Sequence, residues 1–330
     1  MADEQLAFGW AEPAPDNPPG LLPRAAGLAD RLGGLARRGI YLGTSSWKYP
    51  GWLGQLYRPE RYQTRGRFSQ KRFNEGCLGE YAEVLPTVCG DFAFYQFPSE
   101  ATWRRTFEQV PEGFRFSLKV PEEVTVERFA DLPRYGPRAG SANPHFMDAA
   151  VMRDQLLGRL GPYRDRLGTL IFQFGTLHGP MSEPGRFVGR LDEMLSTLPT
   201  DRYRFAVEVR NRSFLGTDYL ACLRSHGVAH CLNSWTRMPS IGEQLRIPGI
   251  ITAGHAVGRF LLKPGRSYQQ AVDKFAPYER IADPYPEGRD ALRELVTCCL
   301  AESRMLFAFV NNRFEGNALE TIELTTNELA

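Results

Sequence analysis

The sequence has no long apolar run. None of its hydrophobic stretches approaches the ~20 residues that cross a bilayer. It begins Met1-Ala2-Asp3-Glu4, without the basic-then-apolar order of a secretory leader. These absences lead to the expectation of a cytoplasmic protein with no membrane partner. An excess of charge of one sign is missing too. Lys plus Arg number 40 and Asp plus Glu 38, a formal net charge of +2, so overall charge gives no reason to expect a polyanion partner. Cysteine is sparse, and its six residues (Cys77, Cys89, Cys222, Cys231, Cys298 and Cys299) form no C-x-x-C. In a reducing compartment they read as small buried side chains. Cys222, His226, His230 and Cys231 lie close together, but Gly227 ends the helix the first two would share. His230 and Cys231 then point to opposite faces of a strand, so no metal site is expected. There is no H-E-x-x-H, P-loop, G-x-S-x-G or dinucleotide fingerprint, and no cofactor is expected.

What is present is an ordinary globular balance: 330 residues, 42% hydrophobic and 24% charged. Residues 1–38 stand apart. Five prolines (Pro13, Pro15, Pro18, Pro19 and Pro23) fall there without a sustained apolar period, which predicts a mobile or draped arm with room for a short helix over Leu28–Arg37. From residue 39 onward, eight short segments have strand length and composition: Ile40–Trp47, Asp91–Pro98, Phe114–Pro121, Thr169–Gly175, Arg204–Arg210, Gly227–Trp235, Arg259–Gly265 and Met305–Arg313. Helical faces lie between them, such as Phe73/Cys77/Tyr81 and Phe187/Leu191/Met194/Leu195. The weak link is Thr236–Gly258, with two prolines and several glycines. Strand–helix alternation of this length predicts an α/β protein, a single (β/α)8 TIM-type barrel over 39–330, in preference to a doubly wound sheet.

In such a barrel the chemistry sits at the carboxyl ends of the strands. Glu208 stands in an otherwise apolar strand, on the same face as Ala206 and Arg210. A buried carboxylate needs a partner, and Arg210, Lys119 and Lys263 are the candidates. Glu208 is therefore the expected acid/base, with Lys119 as the second catalytic candidate. Lys119, Arg210 and Lys263 form an expected clamp for a phosphate or carboxylate. The structural alternative is an ion pair bracing the barrel top. Gln173, Asn233, Asn311 and Asn312 end other strands as substrate-binding candidates, while Trp47, Tyr49, Trp52 and Trp235 would wall the pocket.

Residues 47–67 interleave Trp47, Tyr49, Trp52, Tyr57 and Tyr62 with Lys48, Arg58, Arg61, Arg65 and Arg67 against one acid, Glu60. Aromatics alternating with cations suit stacking on bases while touching phosphates. The plainer reading has the tryptophans plugging the barrel and the arginines solvated.

Several motifs together resemble the YecE-like proteins, domain-of-unknown-function family 72. They are Gly43-Thr44-Ser45-Ser46-Trp47-x-Tyr49-x-x-Trp52, Phe94-Tyr95-x-x-Pro98, Pro111-Glu112-Gly113-Phe114-Arg115-Phe116-x-x-Lys119, Phe172-Gln173, Ala206-Val207-Glu208-x-Arg210, and Asn311-Asn312 with Gly316-x-Ala318. The resemblance spans most of 39–322 and implies a TIM-type barrel without an assigned activity. This chain departs from the pattern at three places. Val88-Cys89-Gly90-Asp91 stands where the family usually has Val-Glu-x-Asn. Val126 follows Thr125 where Thr-His is usual, and Leu262-Lys263-Pro264-Gly265 stands for Arg-x-His-Gly.

Three functional expectations follow. The first is an enzyme or ligand-binding barrel acting on a small anionic substrate at the mouth, as a metal-independent hydrolase, lyase or isomerase of a phosphorylated compound. The second is a non-catalytic nucleic-acid binder using 47–67. The third is a degenerate barrel serving as an interaction scaffold. The long connections 121–146 and 264–288 are candidate lids or partner surfaces.

Overall fold

The computed structural model describes residues 20–329. Its eight parallel strands are β1 (Ile40–Thr44), β2 (Thr87–Gly90), β3 (Arg115–Lys119), β4 (Leu167–Gln173), β5 (Phe205–Glu208), β6 (Ala229–Asn233), β7 (His255–Phe260) and β8 (Met305–Val310). They close in the order β1-β8-β7-β6-β5-β4-β3-β2, with Thr44 of β1 paired to Val88 of β2. This is the (β/α)8 barrel that the alternation predicts.

Helices cross between the strands at Gln70–Ala82, Glu100–Glu108, Pro184–Ser196, Thr217–Ser225 and Pro286–Ala301, and Ala318–Asn327 follows β8. The weak link is real: the β6–β7 connection carries only Ile241–Leu245. A buried glutamine compensates there. Gln244 Nε2 donates to the carbonyls of Asn233 and Pro239, both at 2.7 Å, tying a loop where a longer helix would otherwise pack. No helix of the described residues is long and apolar enough to cross a membrane.

Two strand positions differ from the sequence reading. The second strand is Thr87–Gly90, not Asp91–Pro98. Residues 91–98 turn over the barrel end, and Phe94 N–H donates to the Asp91 carbonyl at 2.9 Å. Phe92, Phe94 and Phe97 are partly or fully buried from a loop, while Tyr95 is exposed, so the segment mimics a strand in composition. The seventh strand is His255–Phe260, not Arg259–Gly265. Leu261 and Leu262 continue the apolar run past the strand because they pack with Ala271 and Phe275.

Of the predicted arm, residues 1–19 lie outside the described residues. Pro23–Arg37 is a helix with Ala25, Leu28 and Leu32 buried in the main core, so this stretch is draped on the barrel through a helix that begins earlier than the one expected over Leu28–Arg37.

Period-two alternation sorts the barrel interior into layers. Its middle is an apolar plug that includes Cys89, Ile171, Ala206, Ala229, Cys231, Val257, Phe307 and Phe309. Charged side chains sit beyond this plug at both ends.

Candidate functional site

The carboxyl ends of β3, β4, β5 and β7 supply Lys119, Gln173, Glu208 and Arg259. Gln173 and Glu208 are register partners. Arg259 Nη1 donates to Gln173 Oε1 at 2.7 Å and also to Glu208 Oε2. Arg210, just past β5, places Nε and Nη2 3.3 and 3.4 Å from Glu208 Oε1. Both carboxylate oxygens of Glu208, which is 0% exposed, are thus held by guanidinium groups. Burial pushes the Glu208 carboxyl up, but Arg259 and then Arg210 outweigh that, and its pKa ends below the ordinary value. Arg210 also lies flat on Trp235, its Cζ 3.7 Å from the ring centroid.

Lys119 completes the group. Its Nζ is 3.5 Å from Asp91 Oδ2 and 4.3 Å from the Phe94 ring centroid. Burial pulls its pKa down, partly opposed by Asp91 and reinforced by Arg259. The Lys119 ammonium is therefore the acidic cation of the cluster, while Glu208 stays ionised. Beside Glu208 lies the Cys89 thiol, whose pKa burial raises.

Lys263 does not join this cluster. It stands 3.5 Å from Asp283, a carboxylate that Arg266 and Lys274 also hold at 2.6 Å. The cation of this cluster that the sequence reading missed is Arg259, because β7 was placed too late. Its signal was present: His255, Val257 and Arg259 alternate on one face of the run His255-Ala256-Val257-Gly258-Arg259-Phe260.

The amide candidates mostly serve the backbone. Asn233 Nδ2 donates to the Val209 carbonyl at 3.1 Å, and its Oδ1 accepts from Trp235 N–H at 3.3 Å. Asn311 Oδ1 accepts from Arg313 N–H at 2.9 Å, and Asn312 Oδ1 from Ala318 N–H at 2.7 Å. The last two are strand-ending turns. Gln173 is the exception, oriented by Arg259.

The aromatic loop is core. Trp47, Trp52, Tyr57 and Tyr62 are buried, and Tyr49 packs on Trp52 and Tyr278. Arg58 Nε holds Glu80 at 2.6 Å, with Tyr62 Oη on the other oxygen at 2.6 Å. Stacking of bases on these rings is closed off, and Arg65 and Arg67 are the exposed cations that remain.

Cys222 and His226 do share a helix face. His226 Nε2 lies 2.7 Å and Cys222 Sγ 3.9 Å from Asp192 Oδ1. His230 is instead buried against Tyr219, its Nδ1 3.1 Å from the hydroxyl.

The family model for DUF72, a protein of unknown function, matches residues 41–330. Among similar solved structures, a DUF72 family protein from Thermotoga maritima MSB8 shows 20% identity and a TM-score of 0.57, covering 88% of this chain and 98% of that one. A DUF72 family protein from Enterococcus faecalis V583 shows 17% identity and a TM-score of 0.58, covering 88% and 94%. At such identities the likeness carries the fold alone. No curated protein matches the chain.

Proposed function

The chain belongs to the DUF72 family, and from that premise we propose that its barrel mouth binds a small phosphate- or carboxylate-bearing ligand. Arg210 and Lys119 are the contacts, and Glu208 holds the two guanidinium groups in place. The observation behind this reading is the charge count of the cluster. Among the described residues, Lys119, Arg210 and Arg259 pair only with Glu208 and Asp91, three cations against two carboxylates. An anion would neutralise the surplus in a site where burial weakens solvent screening.

The finer assignment of roles shifts from the sequence reading. A general base must reach a substrate proton and compete for it; the Glu208 carboxylate is fully buried, and Arg259 and Arg210 hold it and lower its pKa, so Glu208 acts as a positioning residue. If the mouth turns over a phosphorylated substrate, Lys119 is the group with a loosened proton.

The test is calorimetric titration of the full chain with a panel of phosphate monoesters and carboxylates. Arg210→Gln and Lys119→Gln should each weaken binding at least about tenfold, the loss of one charge-assisted contact. Unchanged affinity in both variants would refute the reading.

A scaffold role has one observation in its favour. Exposed Tyr95, Leu132 and Tyr268 border the same end, with Arg134 and Arg313 lying over Tyr95 and Tyr268. A mouth that binds no anion while these three residues govern association with another protein would select that reading.

A further inference from the structure

A concavity of about 420 Å³ opens at the end of the barrel opposite the Glu208 cluster. It is built on the amino-terminal ends of the strands. Tyr41 of β1, Arg115 of β3, Gly168 of β4, His255 of β7 and Met305 of β8 line it, together with Arg204 immediately before β5. The apolar plug described above separates it from the Glu208 cluster, so its chemistry is its own.

Its charge is not balanced. Arg115, Arg164, Arg202 and Arg204 line it against Asp165 and Asp201. Arg164 takes Asp165 at 3.3 Å. Arg115 and Arg204 have no carboxylate within 4.0 Å among the described residues and bind only backbone carbonyls. Arg115 Nη1 donates to Glu112 and Phe114 at 2.8 and 3.3 Å, and Arg204 Nη1 to Leu167 and Gly168 at 3.2 and 3.5 Å. Each guanidinium is thereby positioned through one amino group, with its other donors free for a ligand. The two also repel: burial and then Arg115 lower the Arg204 pKa. Asp165 opposes this only from a distance, and two like charges beside one cavity, with no carboxylate in contact among the described residues, suit an anion placed between them.

The rest of the lining narrows the ligand. Tyr41 stacks on Phe307 with centroids 5.1 Å apart, and Tyr203 borders the same space. His255 Nε2 donates to the Phe205 carbonyl at 3.1 Å, and burial lowers its pKa to about 4, so the ring is neutral at physiological pH. The volume lies near the lower end for small-molecule sites and is too small for a polymer.

We infer that the amino-terminal end of the barrel is a binding site for a phosphorylated small molecule. Its phosphate lies between Arg115 and Arg204, where guanidinium forks match phosphate oxygens. Its organic part lies against Tyr41 and Tyr203.

The experiment titrates the full chain with phenyl phosphate and with inorganic phosphate, by calorimetry and thermal denaturation. Phenyl phosphate should bind at about 1 mM or tighter, and more tightly than inorganic phosphate because the ring adds contact with the tyrosines. Arg115→Gln and Arg204→Gln should each weaken it at least tenfold, while Arg204→Lys keeps part of the affinity. Measured in an Arg210→Gln/Lys119→Gln background, which removes the mouth's contribution to phosphate binding, Arg115→Gln and Arg204→Gln should cost the same tenfold or more. A structural role for the two arginines predicts lower thermal stability in the Gln variants with unchanged phenyl phosphate affinity, and that result overturns the proposal. So does a parent protein that binds neither probe. Because the two ends carry separate variants, failure here and failure at the mouth are distinguishable.

Discussion

Replacing Glu208 by Gln tests the electrostatic account of the barrel mouth most directly. The substitution keeps shape and removes one charge from a side chain with no exposed surface. Arg259, with 6% of its side chain exposed, then faces only neutral acceptors, Gln173 and the amide oxygen introduced at position 208, and Arg210 keeps its stacking on Trp235. Leaving a buried charge without its partner costs about 3–5 kcal/mol. Such a loss is a large part of the about 5–15 kcal/mol that holds a domain folded. Urea denaturation should show the midpoint of Glu208→Gln falling accordingly. Adding Arg259→Met should recover part of the loss, because removing both members of a buried pair is far cheaper than removing one. The acid limb gives a second reading. A carboxyl whose folded pKa lies below its unfolded value contributes stability fully above about pH 4.3. That contribution disappears as pH falls through the lowered folded value, and the variant should lack that component. A loss under about 1 kcal/mol, or strict additivity of the two substitutions, would show that the guanidiniums do not depend on this carboxylate.

Lys119 gives the same sign in a different, alkaline window. Burial lowers its folded pKa, so the unfolded chain binds the extra proton and stability should rise with pH through the window just below 10.5. Anion affinity at the mouth should fall through that same window, and Lys119→Gln should abolish both trends in pH-dependent denaturation and titration. His230 and His255 are buried, with pKa values lowered to about 4. Acidification from 6.5 to 4 should therefore cost up to about 3 kcal/mol for each, and a flat urea midpoint across that range would contradict their burial as neutral rings. Gly43 is the tight point of the barrel seam. A Cβ there would run into the carbonyl of Thr87, so Gly43→Ala should destabilise by at least the upper part of the about 1–3 kcal/mol typical of overpacking, checked by thermal denaturation.

The barrel was readable because its strands are bounded by features a single sequence carries. Leu167–Gln173 is an apolar run closed by an amide, and Phe205–Glu208 is one closed by a carboxylate. Glu208 stood out for a physical reason: a charge in such a run must be paired. Partner identity was harder to read. Arg210, two residues away, lay on the same face of the chain. Arg259 lies 51 positions away, on a strand whose end was hidden by the buried Leu261 and Leu262. Lys263 resembled a strand-ending cation, yet its neighbours in space, Asp283 and Tyr285, belong to a loop whose path composition does not reveal. The aromatics of 47–62 had the composition of a nucleic-acid surface and the location of a core, and only packing against Phe73 and Glu80 separates the two.

The surplus of positive charge at the mouth follows from one interior position. Cys89 lies in the apolar plug, on the strand where the family resemblance leads one to expect a carboxylate. A carboxylate there would bring the acids to three and neutralise Lys119, Arg210 and Arg259. A thiol held protonated by burial contributes nothing to that balance. Asp91, two residues on, is the remaining acid, and half of its side chain is exposed, so solvent screens it more than it screens the buried guanidiniums. The cations thus face a weaker acidic complement than their number alone implies. The same substitution removes a potential general base from the strand beside Lys119. Both consequences favour a site that holds an anion through fixed positive charge over one that relays protons between paired carboxylates.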